Sequence, residues 1–182
     1  MVKKIIITGG MGYIGTELCK IYSGVSWHHK VIVFDNRFIS ERVNQVRNWN
    51  MEFIHGDILN KELVKKLFSD ADIVHHLAGV TSVPRVKDEA SDEINNNIKK
   101  VGEEGTQNIL TAINDKCKII FPSTHVIYEG IEKVKNDIKE DEDPKPVLSY
   151  SSSKATNERQ LKESGKNYVI LRLGSVYGYS SD

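Results

Sequence analysis

The 182-residue sequence predicts an α/β fold, a doubly wound parallel sheet with helices on both faces. Short apolar runs rich in β-forming residues alternate with segments of helical periodicity. A glycine-rich turn joins the first run to the first helical segment, and small or polar residues follow several later runs. In such sheets ligands bind beyond the carboxyl ends of the strands, so these residues are candidates for a binding site.

The elements follow in chain order from these periodicities. Continuous apolar runs indicate strands that are buried on both faces. Apolar residues three or four positions apart, as at Ile94, Ile98 and Val101, indicate helices. A polar, acidic loop is predicted at about 129–148. The predicted strands lie near 5–7, 30–35, 51–54, 72–77, 118–123 and 167–173, and the predicted helices follow the glycine turn through residue 22 and lie near 40–47, 60–68, 90–114 and 149–163.

The stretch 8–15, with the sequence TGGMGYIG, predicts an anion-binding turn. Backbone N–H groups and the positive end of the helix dipole converge at such a turn. Gly9 allows a sharp reversal, Gly12 lets a pyrophosphate approach the backbone, and Gly15 lets the helix lie close to the strand. The G-x-x-G-x-x-G spacing differs from the standard dinucleotide fingerprint, so an ordinary glycine-rich turn is the alternative.

Asp35 ends the second strand, about 20 residues after Gly15, where a carboxylate would accept a hydrogen bond from an adenosine ribose. It would also repel a 2′-phosphate, which favours NAD over NADP. Arg37 follows and would soften that preference. The alternative role for Asp35 is a strand-end turn formed with Asn36.

Further candidate residues follow the third, fourth and fifth strands. Asp57 would accept a hydrogen bond from an adenine amino group, and its alternative role is to cap the next helix near Asn60. Ala78 and Gly79 are small enough for a flat ligand to lie on the backbone. Thr124 ends the fifth strand with a hydroxyl group.

Tyr150 and Lys154 lie four residues apart at the start of a helix, so they share a face. A phenol has a pKa of about 10, and a nearby ammonium is expected to lower it. Tyr150 would then exchange a proton with a substrate hydroxyl, while Lys154 contacts the nicotinamide ribose. Thr124 would orient the reacting oxygen. A chance helix pair is the alternative, and the glycine turn, Asp35 and a hydroxyl at the end of the fifth strand argue against it.

The composition limits the classes of partner that the chain is expected to bind. The chain has 25 basic and 25 acidic residues, so it offers no basic surface for nucleic acid or anionic membranes. Cys19 and Cys117 lie in apolar segments and are expected to be reduced core thiols. No secretory signal or membrane-length apolar run is apparent, which predicts a cytoplasmic location. The paired histidines lack the spacing of a metal site, so no metal is expected.

Together these motifs resemble the extended short-chain dehydrogenase/reductases, and more narrowly their NAD-dependent nucleotide-sugar epimerase/dehydratase group. The resemblance covers essentially the whole chain and implies a Rossmann fold. The motifs that carry it are TGGxGYIG at 8–15, FDN at 34–36, GDI at 56–58, HLAG at 76–79, GTxNIL at 105–110, STxxIY at 123–128, YxxxK at 150–154 and LRxxxVYG at 171–178.

The resemblance implies a set of functional residues and a homodimer through a four-helix bundle, built from the helices near 90–114 and 149–163. The implied catalytic residues are Thr124, Tyr150 and Lys154. The implied NAD-binding residues are Gly9, Gly12, Tyr13, Ile14, Gly15, Asp35, Asn36, Asp57, Ile58, Leu77, Ala78, Gly79, Tyr150 and Lys154. The candidate contacts to a nucleotide-diphosphate sugar are Thr81, Ser82, Thr124, His125 and Ser175.

The chain also departs from the family pattern. Family members are longer, so residues 1–182 are expected to be the NAD-binding domain with the catalytic residues, and the substrate domain is expected to lie outside them. Gly102 and Ser175 each stand where the family usually has an Asn. The hydrogen bonds of the first Asn and a sugar-nucleotide contact of the second are therefore expected to differ.

One departure favours a particular reaction. The related 4,6-dehydratases place an Asp-Glu pair after the catalytic Thr, and here the pair is His125-Val126. Valine does no acid–base chemistry, so the sequence favours an epimerase of the UDP-glucose 4-epimerase type. The alternatives are an NAD(P)-dependent reductase or dehydratase of the same family, or a non-catalytic NAD-binding module.

Overall fold

A computed structural model describes residues 1–80, 91–132 and 136–179. Within these residues, parallel strands form one six-stranded sheet in the order β3-β2-β1-β4-β5-β6. This order confirms the predicted doubly wound sheet and places its switch point between β1 and β4. The strands are β1 Lys4–Thr8, β2 Lys30–Asp35, β3 Glu52–His55, β4 Ile73–His76, β5 Lys118–Thr124 and β6 Asn167–Leu173.

Helices connect the strands and cover both faces of the sheet. A π-helical turn, Lys100–Glu104, joins α4 to α5, and a 3₁₀ helix, His125–Tyr128, follows β5. None of the described helices is long and apolar enough to cross a membrane. The α-helices are α1 Tyr13–Tyr22, α2 Ser40–Asn48, α3 Lys61–Phe68, α4 Asp92–Lys99, α5 Gly105–Ala112 and α6 Ser149–Glu163.

Two apolar layers hold the helices on the sheet. Successive residues of a strand face opposite sides, so Ile6 packs in one layer and Ile5 in the other. The first layer includes Phe68 of α3 and Leu161 of α6, and the second includes Cys19 of α1. Cys19 and Cys117 are buried free thiols, as the sequence predicted.

The prediction of a single helix at 90–114 is wrong, because the π-helical turn at Lys100–Glu104 divides it into α4 and α5. The interruption lies at glycines that permit close packing. A Cβ on Gly102 would lie 2.3 Å from Ser153 Oγ, and one on Gly105 would lie 2.3 Å from Ile58 Cδ1. The Gly102 carbonyl accepts a hydrogen bond from Asn157 Nδ2 at 3.0 Å. The backbone at Gly102 therefore contacts α6 directly.

Candidate active site

The glycine turn lies between β1, β4 and α1. Gly9 has φ of +67°, and a Cβ there would lie 2.7 Å from the backbone nitrogen of Ala78. A Cβ on Gly15 would lie 2.3 Å from the Gly9 carbonyl oxygen. Both glycines are therefore required by close backbone approach. The turn ends at the start of α1, where the first N–H groups of a helix have no partner within it and suit an anion.

Two adjoining cavities meet at this turn. One, of about 270 Å³, contains the predicted catalytic residues Thr124, Tyr150 and Lys154. The other, of about 530 Å³, contains Asp35 and Asp57. All predicted cofactor-binding residues line one or both: Gly9, Gly12, Tyr13, Leu77, Ala78 and Gly79 line both, Ile14, Gly15, Tyr150 and Lys154 line the first, and Asp35, Asn36, Asp57 and Ile58 line the second.

The Asp35 carboxylate lies at the end of β2 and is buried. Its Oδ2 accepts the Met11 N–H and its Oδ1 accepts the Arg37 N–H, both at 2.8 Å. Each carboxylate oxygen has a further lone pair for a ribose hydroxyl. Arg37 Nη2 donates to the Met11 carbonyl at 2.6 Å, so the guanidinium contacts the glycine turn. This geometry is compatible with both roles considered for Asp35, a strand-end turn and a hydrogen bond to an adenosine ribose.

Asp57 does not cap α3. The N-cap is Asn60, whose side chain accepts the Leu63 N–H at 3.1 Å. Asp57 Oδ1 accepts the Leu59 N–H at 2.9 Å, and its Oδ2 lies 3.4 Å from Asn36 Nδ2. The carboxylate lines the same cavity as Asp35, as its predicted adenine contact requires.

Thr124, Tyr150 and Lys154 come from β5 and α6. Thr124 Oγ1 accepts the Val126 N–H at 3.2 Å, which leaves its own proton to donate to a substrate oxygen. Lys154 Nζ donates to the Pro122 carbonyl at 2.9 Å and lies 4.5 Å from the Phe121 ring centroid. It lies 5.9 Å from the ring centroid of Tyr150.

The prediction that a nearby ammonium lowers the pKa of Tyr150 is wrong in this structure. Burial raises the pKa of Tyr150, because it penalises the phenolate. Burial also lowers the pKa of Lys154 to about 8, against the opposing effect of Glu158. The ammonium is directed to Pro122 and not to the phenol, so it does not offset the desolvation of Tyr150.

The structure does not place all the candidate sugar-nucleotide contacts in the catalytic cavity. Thr124 lines the catalytic cavity. His125 instead lines a neighbouring cavity of about 490 Å³, with its Nδ1 3.1 Å from the Leu173 carbonyl oxygen. Ser175 is exposed after β6 and does not line the catalytic cavity. Thr81 and Ser82 lie outside the described residues.

An ion pair between the buried carboxylate of Glu158 and the partly buried Arg172 was not predicted from the sequence. Glu158 and Arg172 lie on α6 and β6, and Arg172 Nη2 donates to Glu158 Oε2 at 2.7 Å. Ser123 Oγ donates to Glu158 Oε1 at 2.6 Å. Burial raises the pKa of Glu158, but the hydrogen bonds from Arg172 and Ser123 outweigh it, so the net shift is downward.

A second carboxylate that the sequence did not single out is Glu129, which contacts the start of α6. Its Oε1 accepts the N–H groups of Val147 and Leu148, both at 2.7 Å, and the Ser151 hydroxyl. Burial raises the pKa of Glu129, and these three donors lower it further than burial raises it. Among the described residues, no group of three or more His, Cys, Asp or Glu side chains is placed to hold a metal ion.

A model of the NAD dependent epimerase/dehydratase family matches residues 5–182. The chain belongs to this family. It is 31% identical to the dTDP-D-glucose 4,6-dehydratase of Dictyostelium discoideum, over 97% of the chain and 44% of that protein. It is 30% identical to the UDP-glucose 4-epimerase of Neisseria meningitidis serogroup C, over 97% of the chain and 54% of that protein.

A solved structure shows the same fold. The UDP-glucuronic acid 4-epimerase of Bacillus cereus in complex with NAD matches with a TM-score of 0.77 at 28% identity, over 96% of this chain and 57% of that one. The chain spans about half the length of the relatives it matches. These findings confirm the family, the Rossmann-like fold and NAD as the family's cofactor. Epimerases and a dehydratase both occur among the relatives, so similarity does not select the reaction.

Proposed function

We propose that this chain is the NAD-binding and catalytic part of an epimerase that acts on a nucleotide-diphosphate sugar. The observation that carries the proposal is that Thr124, Tyr150 and Lys154 line one cavity with the glycine turn. The residues present fit NAD, because the turn suits a pyrophosphate and Asp35 suits an adenosine ribose. The identity of His125-Val126 supports an epimerase over a dehydratase.

The mechanism assigns one task to each of the three side chains. The glycine turn and Asp35 would hold NAD, which would supply reversible hydride transfer at a sugar carbon, commonly C4, and inversion would require the flat ketone to turn over in the cavity. Tyr150 would take the hydroxyl proton at that carbon and return it later. Thr124 would donate a hydrogen bond to the reacting oxygen, and Lys154 would hold the nicotinamide ribose.

The reaction itself is tested with the complete gene product, a panel of UDP-sugars and a catalytic amount of NAD. We expect interconversion of C4 epimers, followed by proton NMR of the sugar, with no net change in nicotinamide absorbance. Stoichiometric consumption of reduced cofactor would instead show a reductase, and a 4-keto-6-deoxy sugar would show a dehydratase. If no UDP-sugar reacts, the same assay is repeated with dTDP- and CDP-sugars, and NAD binding without conversion of any of them would favour a binding module.

Cofactor preference gives a second prediction, checked by calorimetric titration of the protein with NAD and with NADP. We expect NAD to bind at least about tenfold more tightly, about 1.4 kcal/mol, because a 2′-phosphate would meet the Asp35 carboxylate. Arg37→Gln is the matched variant, and it should keep or widen this preference, because it removes a cation that lies 4.0 Å from Asp35 Oδ1 and would attract a 2′-phosphate. Tighter binding of NADP by the unmodified protein would favour a reductase.

The homodimer through a four-helix bundle stays a prediction, and so does a cytoplasmic location. The assignment of a substrate domain to sequence beyond residues 1–182 is likewise part of the proposal. It is supported by the shorter span of the chain relative to the proteins that it matches.

A further inference from the structure

The first turn of α6 carries Tyr150 but has no capping side chain of its own. The helix begins at Ser149, and its N-cap residue, Leu148, provides no side-chain hydrogen bond. The first turn also contains no acidic residue. The first N–H groups of a helix lack partners within it, so an uncapped first turn is held less firmly than the turns that follow.

Glu129, from a different segment, instead anchors the residues that lead into this turn. One carboxylate oxygen accepts the N–H groups of Val147 and Leu148, just before the helix, and the hydroxyl of Ser151. Ser151 is fully buried next to Tyr150 in sequence, so this contact reaches into the first turn. A negative charge at this end also interacts favourably with the helix dipole.

The same residue is fixed to the turn that follows Thr124. The Glu129 N–H donates to the Val126 carbonyl at 3.0 Å, and the Val126 N–H donates to Thr124 Oγ1 at 3.2 Å. The Lys145 N–H also donates to the Ile127 carbonyl at 2.8 Å, which ties the segment before α6 to the 3₁₀ helix. Glu129 therefore joins the turn after one predicted catalytic residue to the turn that carries another.

We propose that Glu129 is a positioning residue that fixes the Tyr150 hydroxyl relative to Thr124 across the candidate active site. It acts through Ser151 and the backbone at 147–148 and contacts no reacting atom. The inference rests on the proposed function, in which both hydroxyls bind one substrate oxygen. Displacing a catalytic group by about 1 Å can lower a rate by about 100-fold, so a remote carboxylate can have a large effect on turnover.

The first test compares Glu129→Ala, Glu129→Gln and the control Glu132→Ala in the complete gene product. Glu132 is exposed and lies three positions along the same loop. We expect Glu129→Ala to lower kcat by about 10- to 100-fold with KM within about threefold. Glu129→Gln keeps an acceptor oxygen and should restore much of kcat, while Glu132→Ala should match the unmodified protein. Unchanged kcat in Glu129→Ala overturns the proposal.

The second test does not depend on turnover. Tyrosine is labelled with ¹³C at Cζ, and the Tyr150 resonance is identified by its loss in Tyr150→Phe. We expect Glu129→Ala to shift or broaden this resonance and Glu132→Ala to leave it in place. An unmoved resonance overturns the proposal, whereas absence of turnover in the unmodified protein refutes only the proposed function. Should Glu129→Ala fail to fold, Ser151→Ala removes one of the three hydrogen bonds and takes its place in both tests.

Discussion

Tyr150→Phe should lower turnover by about 10²- to 10⁴-fold and leave NAD affinity within about twofold. The substitution removes the hydroxyl that exchanges a proton with the substrate but keeps the ring. The ammonium of Lys154 donates to the Pro122 carbonyl, so its hydrogen bond is unaffected. Turnover is measured on the complete gene product and NAD affinity by calorimetry.

Tyr168→Phe is the matched control, because Tyr168 loses the same atom but lies near the start of β6, where it pairs with Ile119 away from the carboxyl ends of the strands. It should leave turnover unchanged. Equal loss of turnover and NAD affinity in Tyr150→Phe would mean that the phenol binds cofactor and does no proton transfer. Full turnover in Tyr150→Phe would remove Tyr150 from the mechanism.

The pH dependence of turnover provides a further check on Tyr150. Burial raises the pKa of its phenol above the ordinary value of about 10. A proton acceptor with a raised pKa is mostly protonated at neutral pH, so we expect kcat/KM of the unmodified protein to rise with pH through the neutral range. A kcat/KM that is constant from neutral to alkaline pH would contradict a proton-accepting Tyr150 with a raised pKa.

The sequence predicted those features of the site that depend on local pattern and sheet topology. Parallel strands end at one edge, so the glycine turn, Asp35 and Asp57 had to lie near one another once the strands were assigned. Tyr150 and Lys154 share a helix face because they are four residues apart. These relations need no knowledge of side-chain packing, and the structure places all five groups along the two adjoining cavities.

Other features depend on contacts that no local pattern reveals. Glu129 lies in an acidic loop without periodicity, and its partners are 18 to 22 residues away. The direction of the Tyr150 pKa depends on how deeply the phenol is buried and where the Lys154 ammonium points, which are results of packing. The π-helical turn had a weak signal in Gly102 and Gly105, but their neighbours Ser153 and Ile58 become apparent only in three dimensions.

Arg172→Met should lower the free energy of unfolding by about 3–5 kcal/mol. The Arg172 side chain donates to Glu158 through Nε at 3.0 Å and Nη2 at 2.7 Å, and also to the Tyr128 hydroxyl and the Glu140 carbonyl. Glu158 is 2% exposed, so removal of the guanidinium leaves a buried carboxylate without its main partner. Urea unfolding at neutral pH measures the change.

Lys162→Met is the matched control, since it removes the other cation beside the same carboxylate. Lys162 Nζ lies 3.7 Å from Glu158 Oε2, and its side chain is 51% exposed, so we expect a loss of only about 0.3–0.5 kcal/mol. Similar losses in the two variants would mean that the ion pair with Arg172 contributes no more to the free energy of unfolding than a surface ion pair does.

Unfolding measured at acid pH provides a second test of the ion pair between Arg172 and Glu158. Hydrogen bonds from Arg172 and Ser123 outweigh burial and lower the pKa of Glu158 in the folded state. Their stabilisation is therefore complete above the unfolded pKa of about 4.3 and is lost as the pH falls through the folded pKa. The difference in the free energy of unfolding between the unmodified protein and Arg172→Met should shrink in that acid range.

In Glu158→Leu/Arg172→Met both charges are gone. The double variant should therefore lose less stability than the sum of the single variants, because no charged partner is left unpaired.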